Sequence, residues 1–345
     1  MKEYLNIDGR KIRVRPTETL EEIDKYGNFH RQPNRFTEGF GPGKNPVEKD
    51  RYILFWAKGC HWSNRASIVR ELLGLNEAVK AEIVGWDDDA WEKPLGWEFV
   101  NSPGHINPET GARFLSELYE KADPDYDGRA TVPAFVDYKT GKVVNNDYNR
   151  LTNYLEAEFK PFHKKGAPEL YPEALRADID QLNDWLFDNV NNAVYRAQFA
   201  QSLQAFSDAY ETFFAGLEAM DKRLQDRRFL FGDYVTDSDI RLYVTLARYD
   251  VAYSRNIGPC KKRLVDYENL WGYARDLYQI PAFYHNTYFK DFAASRDLTK
   301  AGEDYWPSVY YDIVIPATDF DAVWKTPTGR ERLSADPAHK FLTES

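Results

Sequence analysis

Cys60 is the residue whose position most clearly indicates chemistry. It follows a short apolar aromatic run, Tyr52 to Ala57, which predicts a buried strand, and it precedes apolar residues at helical spacing that stop at Gly74. A cysteine at a helix N-terminus lies over unsatisfied backbone N–H groups and the positive end of the helix dipole, and both favour the thiolate. Arg65, one turn further on, adds positive charge. A buried structural cysteine is the alternative, and the strand–turn–helix context favours a catalytic thiol.

The residues after Cys60 limit the kind of thiol chemistry. Ser63 stands where a CxxC pair has its second cysteine, and the only other cysteine of the chain is Cys260. A resolving cysteine is therefore missing from this turn. What remains is a monothiol mechanism, in which Cys60 attacks a sulfur and an external thiol releases it. The histidines lack metal-site spacing, so no metal is expected, and the hydrolase, dinucleotide and P-loop motifs are absent from the sequence.

Composition excludes several classes of partner. The chain of 345 residues has 45 Lys plus Arg and 55 Asp plus Glu, which gives a net charge of -10 and argues against nucleic acid. The first residues lack the apolar core of a signal peptide, and no stretch approaches the ~20 apolar residues of a membrane helix. No membrane association is therefore expected. Two cysteines fit a reducing compartment, so the predicted location is cytoplasmic.

The elements around Cys60 predict an α/β domain over residues 49–160. A second strand, Val79 to Val84, completes a strand–helix–strand unit with parallel strands. After an insertion, Val132-Pro133 opens a strand of a predicted hairpin, where a cis peptide bond is compatible with the sequence. A helix from about Asp147 to Phe159 closes the domain. This order is thioredoxin-like, and the Pro- and Gly-rich residues 1–48 are predicted to form an extended arm over it.

The remainder of the chain has a different sequence pattern. Residues 161–300 contain long helical patterns and almost no strand signals, which predicts an all-helical domain. One of these helices follows Thr236 and Asp239, which have the spacing of a capping box. Residues 301–345 are rich in Pro, Tyr and Asp and are predicted to form an irregular tail packed on the body.

Several long stretches carry a resemblance to a known family. They are GCHWSNR around Cys60, GWEF at 96–99, LYEKADPDYDGRATVP at 118–133, KTGKVVNN at 139–146, NNAVYRAQFA at 191–200, and DIRLYVTLARYDVAYS further on. With these, the sequence resembles the xi class of the glutathione transferase superfamily, the glutathionyl-hydroquinone reductases. The resemblance implies an α/β plus all-α protein, with an N-terminal thioredoxin-like domain followed by a helical glutathione-transferase C-terminal domain. It also implies a homodimer.

The resemblance further implies a site and a reaction. Glutathione, as co-substrate, would be bound by Trp97, Arg129, Val132 and the helix start at Asp147 and Tyr148. Tyr195 and Tyr253 would contact an aromatic quinol conjugate. The Cys60 thiolate would attack the sulfur of a glutathionyl-hydroquinone, a tyrosine, Tyr195 in our assignment, would assist the leaving aromatic, and a second glutathione would resolve the mixed disulfide.

Departures from the family pattern lie at the same site. His61 replaces a proline, Ser63 and Asn64 replace an Ala-His pair, and Asp147 and Tyr148 replace the Glu-Ser pair that holds the γ-glutamyl end of glutathione. Two alternatives therefore stay open: a related enzyme that uses another low-molecular-weight thiol, and a non-catalytic binding protein of the same fold. For a third substrate-facing tyrosine, Tyr288 and Tyr310 are the candidates.

Overall fold

A computed structural model of the chain describes residues 3–14, 22–85, 95–258, 260–292 and 308–343. By spatial proximity the chain divides into two compact units, Met1–Glu22 with His30–Ala167 and Ile23–Phe29 with Pro168–Ser345. The first unit holds the sheet and the second is helical, which confirms the predicted fold class. The domain boundaries that the sequence places at 160 and 300 stay predictions.

The first unit is built on a four-stranded mixed sheet with the order β4-β3-β5-β6. β3 pairs parallel with β4 and antiparallel with β5, so it is central, and all five of its residues are buried. This burial explains its continuous apolar sequence. The elements are β1 (Tyr4–Ile7), β2 (Arg10–Arg13), β3 (Tyr52–Trp56), α1 (His61–Leu72), β4 (Val79–Ile83), α2 (Leu115–Ala122), β5 (Ala134–Asp137), β6 (Lys142–Asn145) and α3 (Leu151–Ala157).

The N-terminal arm contains a β-hairpin that the sequence analysis did not predict. β1 and β2 pair antiparallel, and Asp8 and Gly9 between them have φ of 50° and 80°. Asp-Gly is the sequence signal for such a turn. The Tyr4 hydroxyl donates to Glu120 at 2.8 Å, so the hairpin is fixed to α2. The arm is therefore partly a folded element.

The described part of the second unit is mainly helical. The long α7 is buried along its whole length, and the predicted capping box at its start is confirmed, since the Thr236 amide donates to Asp239 Oδ2 at 2.8 Å. No helix within the described ranges is both long and apolar enough to cross a membrane. The helices are α4 (Arg176–Leu186), α5 (Ala193–Phe199), α6 (Leu203–Arg223), α7 (Asp237–Arg248), α8 (Ser254–Ile257), α9 (Leu270–Tyr278), α10 (Pro281–His285), α11 (Phe289–Phe292), α12 (Ile315–Ala317) and α13 (Phe320–Trp324).

The C-terminal tail packs against the helical unit and includes helices α12 and α13, where the sequence predicted irregular structure. Trp324 is buried, and its ring lies edge-on to Trp271 with centroids 5.2 Å apart. Arg330 is also buried, and its Nη2 donates to the carbonyls of Leu224 at 3.0 Å and Arg228 at 3.1 Å. The guanidinium thus satisfies carbonyls at and beyond the end of α6.

A buried charge cluster fixes the end of the tail. Asp276 of α9 accepts from Arg228 Nε at 2.8 Å and pairs with Lys340 Nζ at 2.8 Å. Two backbone bonds lie beside it, from the Val235 amide to the Lys340 carbonyl and from the Glu169 amide to the Leu342 carbonyl. The tail is therefore held at Lys340 and Leu342 by charge and by backbone hydrogen bonds.

Candidate active site

Cys60 lies at the joint between strand and helix, as predicted. Cys60 is the N-cap residue of α1. Its backbone amide donates to the Ala57 carbonyl at 3.0 Å, and its carbonyl accepts the Asn64 amide at 3.1 Å. The thiol is half-buried and in the reduced state. A partly accessible thiol on the N-cap residue of a helix is a position at which cysteines react.

Ser63 has a structural task that the sequence did not reveal. It is fully buried, its Oγ accepts the Ala57 amide at 3.1 Å, and the same hydroxyl lies 3.3 Å from the Cys60 carbonyl. It therefore ties the end of the strand to the first turn of α1. The position of a resolving cysteine is occupied by a side chain that shapes the turn.

Val132 is the residue that the structure brings directly to the thiol. Its carbonyl oxygen lies 3.7 Å from Cys60 Sγ, which donates to it. The following bond, Val132-Pro133, is cis. Backbone polar groups of this segment thus lie next to the nucleophile, where a peptide-like ligand would need them.

Trp97 lies in the same part of the first unit. Like Cys60 it is half-buried, and both side chains pack against the core cluster that includes Val132. The Trp97 carbonyl accepts the Leu115 amide at 2.9 Å, which fixes its backbone to the start of α2. The exposed part of the ring is a surface on which a flat or peptide-like group can lie.

Arg129 is engaged by the N-terminal arm. Its Nη2 lies 2.7 Å from Glu22 Oε2, and the side chains are 22% and 8% exposed. Gln32 holds its backbone in both directions, accepting the Arg129 amide at 2.9 Å and donating to its carbonyl at 3.2 Å. The resemblance implies Arg129 as a glutathione contact, which stays a prediction, whereas nothing local in the arm marks Glu22 or Gln32.

The two asparagines before Asp147 dock the arm against the end of β6. Asn146 is fully buried. Its side-chain Oδ1 accepts the Phe36 backbone amide at 3.0 Å, and its own backbone amide donates to the Phe36 carbonyl at 2.8 Å. Asn145 Nδ2 donates to the Glu38 carbonyl at 3.0 Å. The pair that marks the family in the sequence therefore supports the site through the arm.

Asp147 precedes α3, which begins at Leu151 rather than at Asp147 as predicted. The Asp147 carbonyl accepts the amides of Arg150 and Leu151, so a turn separates it from the helix. Its Oδ1 accepts Asn34 Nδ2 and the Asn149 amide, both at 3.0 Å. Within the described part of the chain, Oδ2 takes no hydrogen bond or ion pair. One carboxylate oxygen is thus open to a cationic group.

Tyr148 packs on Trp62, with ring centroids 4.7 Å apart, and so fills the space that a serine would leave open. The Arg31 and Arg65 guanidiniums lie 4.5 Å and 4.7 Å from the centre of the Trp62 ring. Burial raises the pKa of the Tyr148 hydroxyl, which therefore stays protonated at neutral pH. Four neighbouring charges also act on that pKa, namely Arg31, Asp147, Arg65 and Glu22.

Tyr195 and Tyr253 lie together in the second unit. Their hydroxyl oxygens are 3.2 Å apart and their rings meet at 64°. Tyr253 is 5% exposed and ends a π-helical turn, Tyr249–Tyr253, that continues α7. Two hydrogen-bonded phenols can donate one proton outward, because only one of them is needed as donor within the pair.

The candidates for a third tyrosine lie elsewhere in that unit. Tyr288 lines an open cavity with residues of α11 and of the segment 316–321. Tyr310 lies edge-on to Tyr311, whose hydroxyl shares a 2.8 Å hydrogen bond with Ser254 Oγ. Tyr311 therefore reaches the residue next to Tyr253, a connection that the tyrosine-rich tail sequence did not single out.

Among the described residues, no group of three or more His, Cys, Asp or Glu side chains has an arrangement that would hold a metal ion. What the structure places beside Cys60 is the Val132 carbonyl, and Trp97 packs on the same core cluster.

Known proteins are similar to this chain in both units. A family model described as the glutathione S-transferase C-terminal domain matches residues 193–276. That range begins at the start of α5 and ends within α9. It covers the tyrosine pair and the capped helix α7.

Individual proteins extend the similarity over most of the chain. The glutathionyl-hydroquinone reductase YqjG of Escherichia coli is 38% identical over 247 residues, which cover 70% of this chain and 73% of that protein. The crystal structure of the glutathione S-transferase Xi of Phanerochaete chrysosporium has a TM-score of 0.75 and 31% identity, covering 88% and 96%. The glutathione-bound structure of YqjG, a glutathione transferase homolog from Escherichia coli K-12, has a TM-score of 0.71 and 31% identity, covering 86% and 96%.

Proposed function

The chain belongs to the xi class of the glutathione transferase superfamily, and we propose that it reduces glutathionyl-hydroquinones with glutathione, using Cys60 as a monothiol nucleophile. The observation that carries the proposal is the geometry of that thiol. It is half-buried at the N-cap of α1, 3.7 Å from the Val132 carbonyl, with Ser63 in place of a resolving cysteine. Such a thiol forms a mixed disulfide that another thiol must release.

The reaction has two exchange steps. In the first, the Cys60 thiolate attacks the sulfur of the conjugate, an S–S bond forms, the S–C bond to the aromatic ring breaks, and the ring carbon takes the electron pair and a proton. The products are the hydroquinone and the Cys60–glutathione mixed disulfide. In the second, a glutathione thiolate attacks that disulfide, which releases oxidised glutathione and regenerates the Cys60 thiolate. The ring is thereby reduced and two glutathiones are oxidised.

Each side chain of the thiol site has a role that its chemistry fits. We assign the glycyl carboxylate of glutathione to Arg129, because a guanidinium pairs with a carboxylate through parallel hydrogen bonds. The γ-glutamyl ammonium goes to the open Oδ2 of Asp147. The Val132 backbone pairs with the cysteinyl residue as a strand would, and Trp97 covers the peptide.

The tyrosine pair is assigned to the aromatic product. As the S–C bond breaks, negative charge develops on the ring and its oxygens, and a phenol O–H stabilises it by donating a hydrogen bond. Within the pair, 3.2 Å apart, one hydroxyl donates to the other, and the accepting hydroxyl uses its own O–H to donate to the aromatic oxygen. We assign this outward donor role to Tyr195, which then accepts from Tyr253 and is less buried than Tyr253.

The test uses a glutathionyl-hydroquinone and intact-mass measurement without added glutathione. We expect one glutathione-sized adduct on the protein and release of the hydroquinone, followed by loss of the adduct when glutathione is added. Cys60→Ser should abolish both, whereas Cys260→Ser is the matched control, because Cys260 is also reduced and half-buried. If neither cysteine forms the adduct, the chain is a binding protein of this fold. If Cys260→Ser removes the adduct, Cys260 is the nucleophile, and either result contradicts the proposal.

A second candidate function is motivated by Asp147 and Tyr148. The Tyr148 ring occupies its space firmly against Trp62, and Asp147 is one methylene shorter than the glutamate of the family pattern. Another low-molecular-weight thiol would then resolve the mixed disulfide. Adding a panel of thiols to the isolated Cys60 adduct, at equal concentration, separates the two. If another thiol resolves it markedly faster than glutathione, that thiol is the co-substrate.

Oligomeric state and location follow from the family and the sequence. We infer a homodimer and a cytoplasmic protein. Sedimentation of the purified full chain measures the first, and fractionation of the source cells measures the second. A monomer over the working concentration range would contradict the first inference.

A further inference from the structure

Arg129 already faces a carboxylate, and that carboxylate belongs to the protein. Glu22 Oε2 lies 2.7 Å from Arg129 Nη2. The pair is largely removed from water, with 8% of the Glu22 side chain and 22% of the Arg129 side chain exposed. Solvent therefore screens it less than a surface ion pair. Glu22 presents the same chemical group to the cation as the carboxylate of a glycyl residue.

The backbone around Glu22 holds its carboxylate in this place. Glu22 Oε1 accepts the Gln32 amide at 2.5 Å, and the Glu22 carbonyl accepts the His30 amide at 2.7 Å. These bonds fix both the side chain and the main chain of Glu22. The carboxylate is thus delivered to Arg129 by a defined turn of the arm.

Arg129 does not need Glu22 to keep its backbone position. Gln32 holds the Arg129 amide and carbonyl, and the Tyr126 hydroxyl donates to the same carbonyl at 2.7 Å. Removing the charge of Glu22 therefore leaves the Arg129 backbone in place. The change removes only the negative charge beside the Arg129 guanidinium.

We propose that Glu22 is a specificity-determining residue of the thiol site, because it occupies the Arg129 cation in the resting protein and a thiol that carries a carboxylate there must displace it. This inference rests on the proposed function, since it takes the assignment of the glycyl carboxylate to Arg129 from there. Its consequence is a bias in thiol choice. Glutathione binds against a competing charge, whereas a thiol without that carboxylate binds without displacing it.

The experiment compares two ligands on matched variants of the full chain. The ligands are reduced glutathione and its ethyl ester at the glycyl carboxylate, titrated calorimetrically under reducing conditions. Glu22→Gln removes the charge but keeps an oxygen that accepts the Gln32 amide. Glu48→Gln is the matched control, because Glu48 pairs with Arg51 at 2.9 Å and not with Arg129. Arg129→Gln tests the assignment on which the inference rests.

Glu22→Gln is expected to tighten glutathione by about three- to tenfold, since it removes one competing ion pair. The same variant should leave the ester unchanged, which also shows that the site is still folded, and Glu48→Gln should change neither ligand. If Glu22→Gln weakens glutathione or leaves it unchanged while Arg129→Gln weakens it, Glu22 supports the guanidinium and the inference is overturned. If Arg129→Gln binds glutathione like the wild type, the carboxylate assignment itself fails.

Discussion

Replacing Asp276 by asparagine tests how the C-terminal tail is held. Asp276 is almost fully buried and meets two cations, Arg228 at 2.8 Å and 3.2 Å and Lys340 at 2.8 Å. Asparagine has the same shape but no charge: its Oδ1 still accepts from one cation, and its Nδ2 turns N–H donors toward the other. The change therefore leaves buried positive charge without its counter-ion.

The expected loss follows from the contacts that remain. Breaking a buried ion pair by removing one partner costs about 3–5 kcal/mol. Arg228 keeps its hydrogen bond to the Pro337 carbonyl at 3.0 Å, and Lys340 keeps its bond to the Asp276 carbonyl at 2.6 Å. Because both cations retain an acceptor and Lys340 is 24% exposed, we expect the lower end, about 3 kcal/mol of unfolding free energy.

The loss should depend on pH in a defined direction. Burial alone would raise the pKa of Asp276, but the hydrogen bonds and charges of Arg228 and Lys340 outweigh it and lower that pKa below its ordinary value. A carboxyl group with a lowered folded-state pKa stabilises the fold above its unfolded pKa and loses this effect as pH falls through the folded one. The difference between wild type and variant should be full at neutral pH and shrink below about pH 4.

The assay combines urea unfolding with amide hydrogen exchange. The amides of Glu169 and Val235 bond to the carbonyls of Leu342 and Lys340, so they report directly on release of the tail. Asp276→Asn should speed their exchange and lower the urea midpoint, whereas Glu331→Gln, at an exposed carboxylate of the same tail, should change neither. A loss below about 1 kcal/mol with unchanged exchange would refute the buried-charge reasoning.

Three further predictions concern the tyrosines, the turn and the capped helix. Tyr195→Phe removes the assigned donor and should lower kcat for the conjugate by about a hundredfold, with little change in glutathione affinity; an unchanged kcat would remove the tyrosine from the chemistry. Ser63→Cys restores a CxxC spacing, so oxidation should yield an internal disulfide with Cys60 in place of the stable glutathione adduct, seen as a mass two hydrogens lower; persistence of the adduct would contradict this. Thr236→Ala breaks the capping box with Asp239 and should cost about 1–2 kcal/mol in urea unfolding, and a loss near zero would show that the cap is dispensable.

Much of the first unit was predictable because its signals are local. The buried run Tyr52–Trp56 and the helical spacing after Cys60 each lie within a few residues, and the structure has both elements there. The start of α3 was placed too early, because the turn from Asp147 to Leu151 has a hydrogen bond of helical spacing and the sequence does not separate this turn from the helix that begins at Leu151. The hairpin of the arm had its Asp8-Gly9 signal, and the Pro- and Gly-rich context masked it.

The candidate site was predictable only in part, for a physical reason. Cys60 was found because a helix N-terminus is readable from its neighbours. Val132 was named through the resemblance, and its carbonyl lies next to the thiol. Glu22 and Gln32 act on Arg129 from a distant part of the chain, and an ion pair between distant residues leaves no periodicity in the sequence. Tyr311 escaped notice for the same reason, since its partner Ser254 belongs to another helix.

The docking of the arm has a practical consequence for protein engineering. A shortened chain that starts at residue 49 would keep the four-stranded sheet and Cys60. It would lose Asn34, Phe36 and Gln32, which hydrogen-bond to Asp147, Asn146 and Arg129. Thiol affinities measured on such a fragment, or on a protein with a bulky tag close to the arm, would therefore describe an altered thiol site, and ligand screens should use the untagged full-length chain.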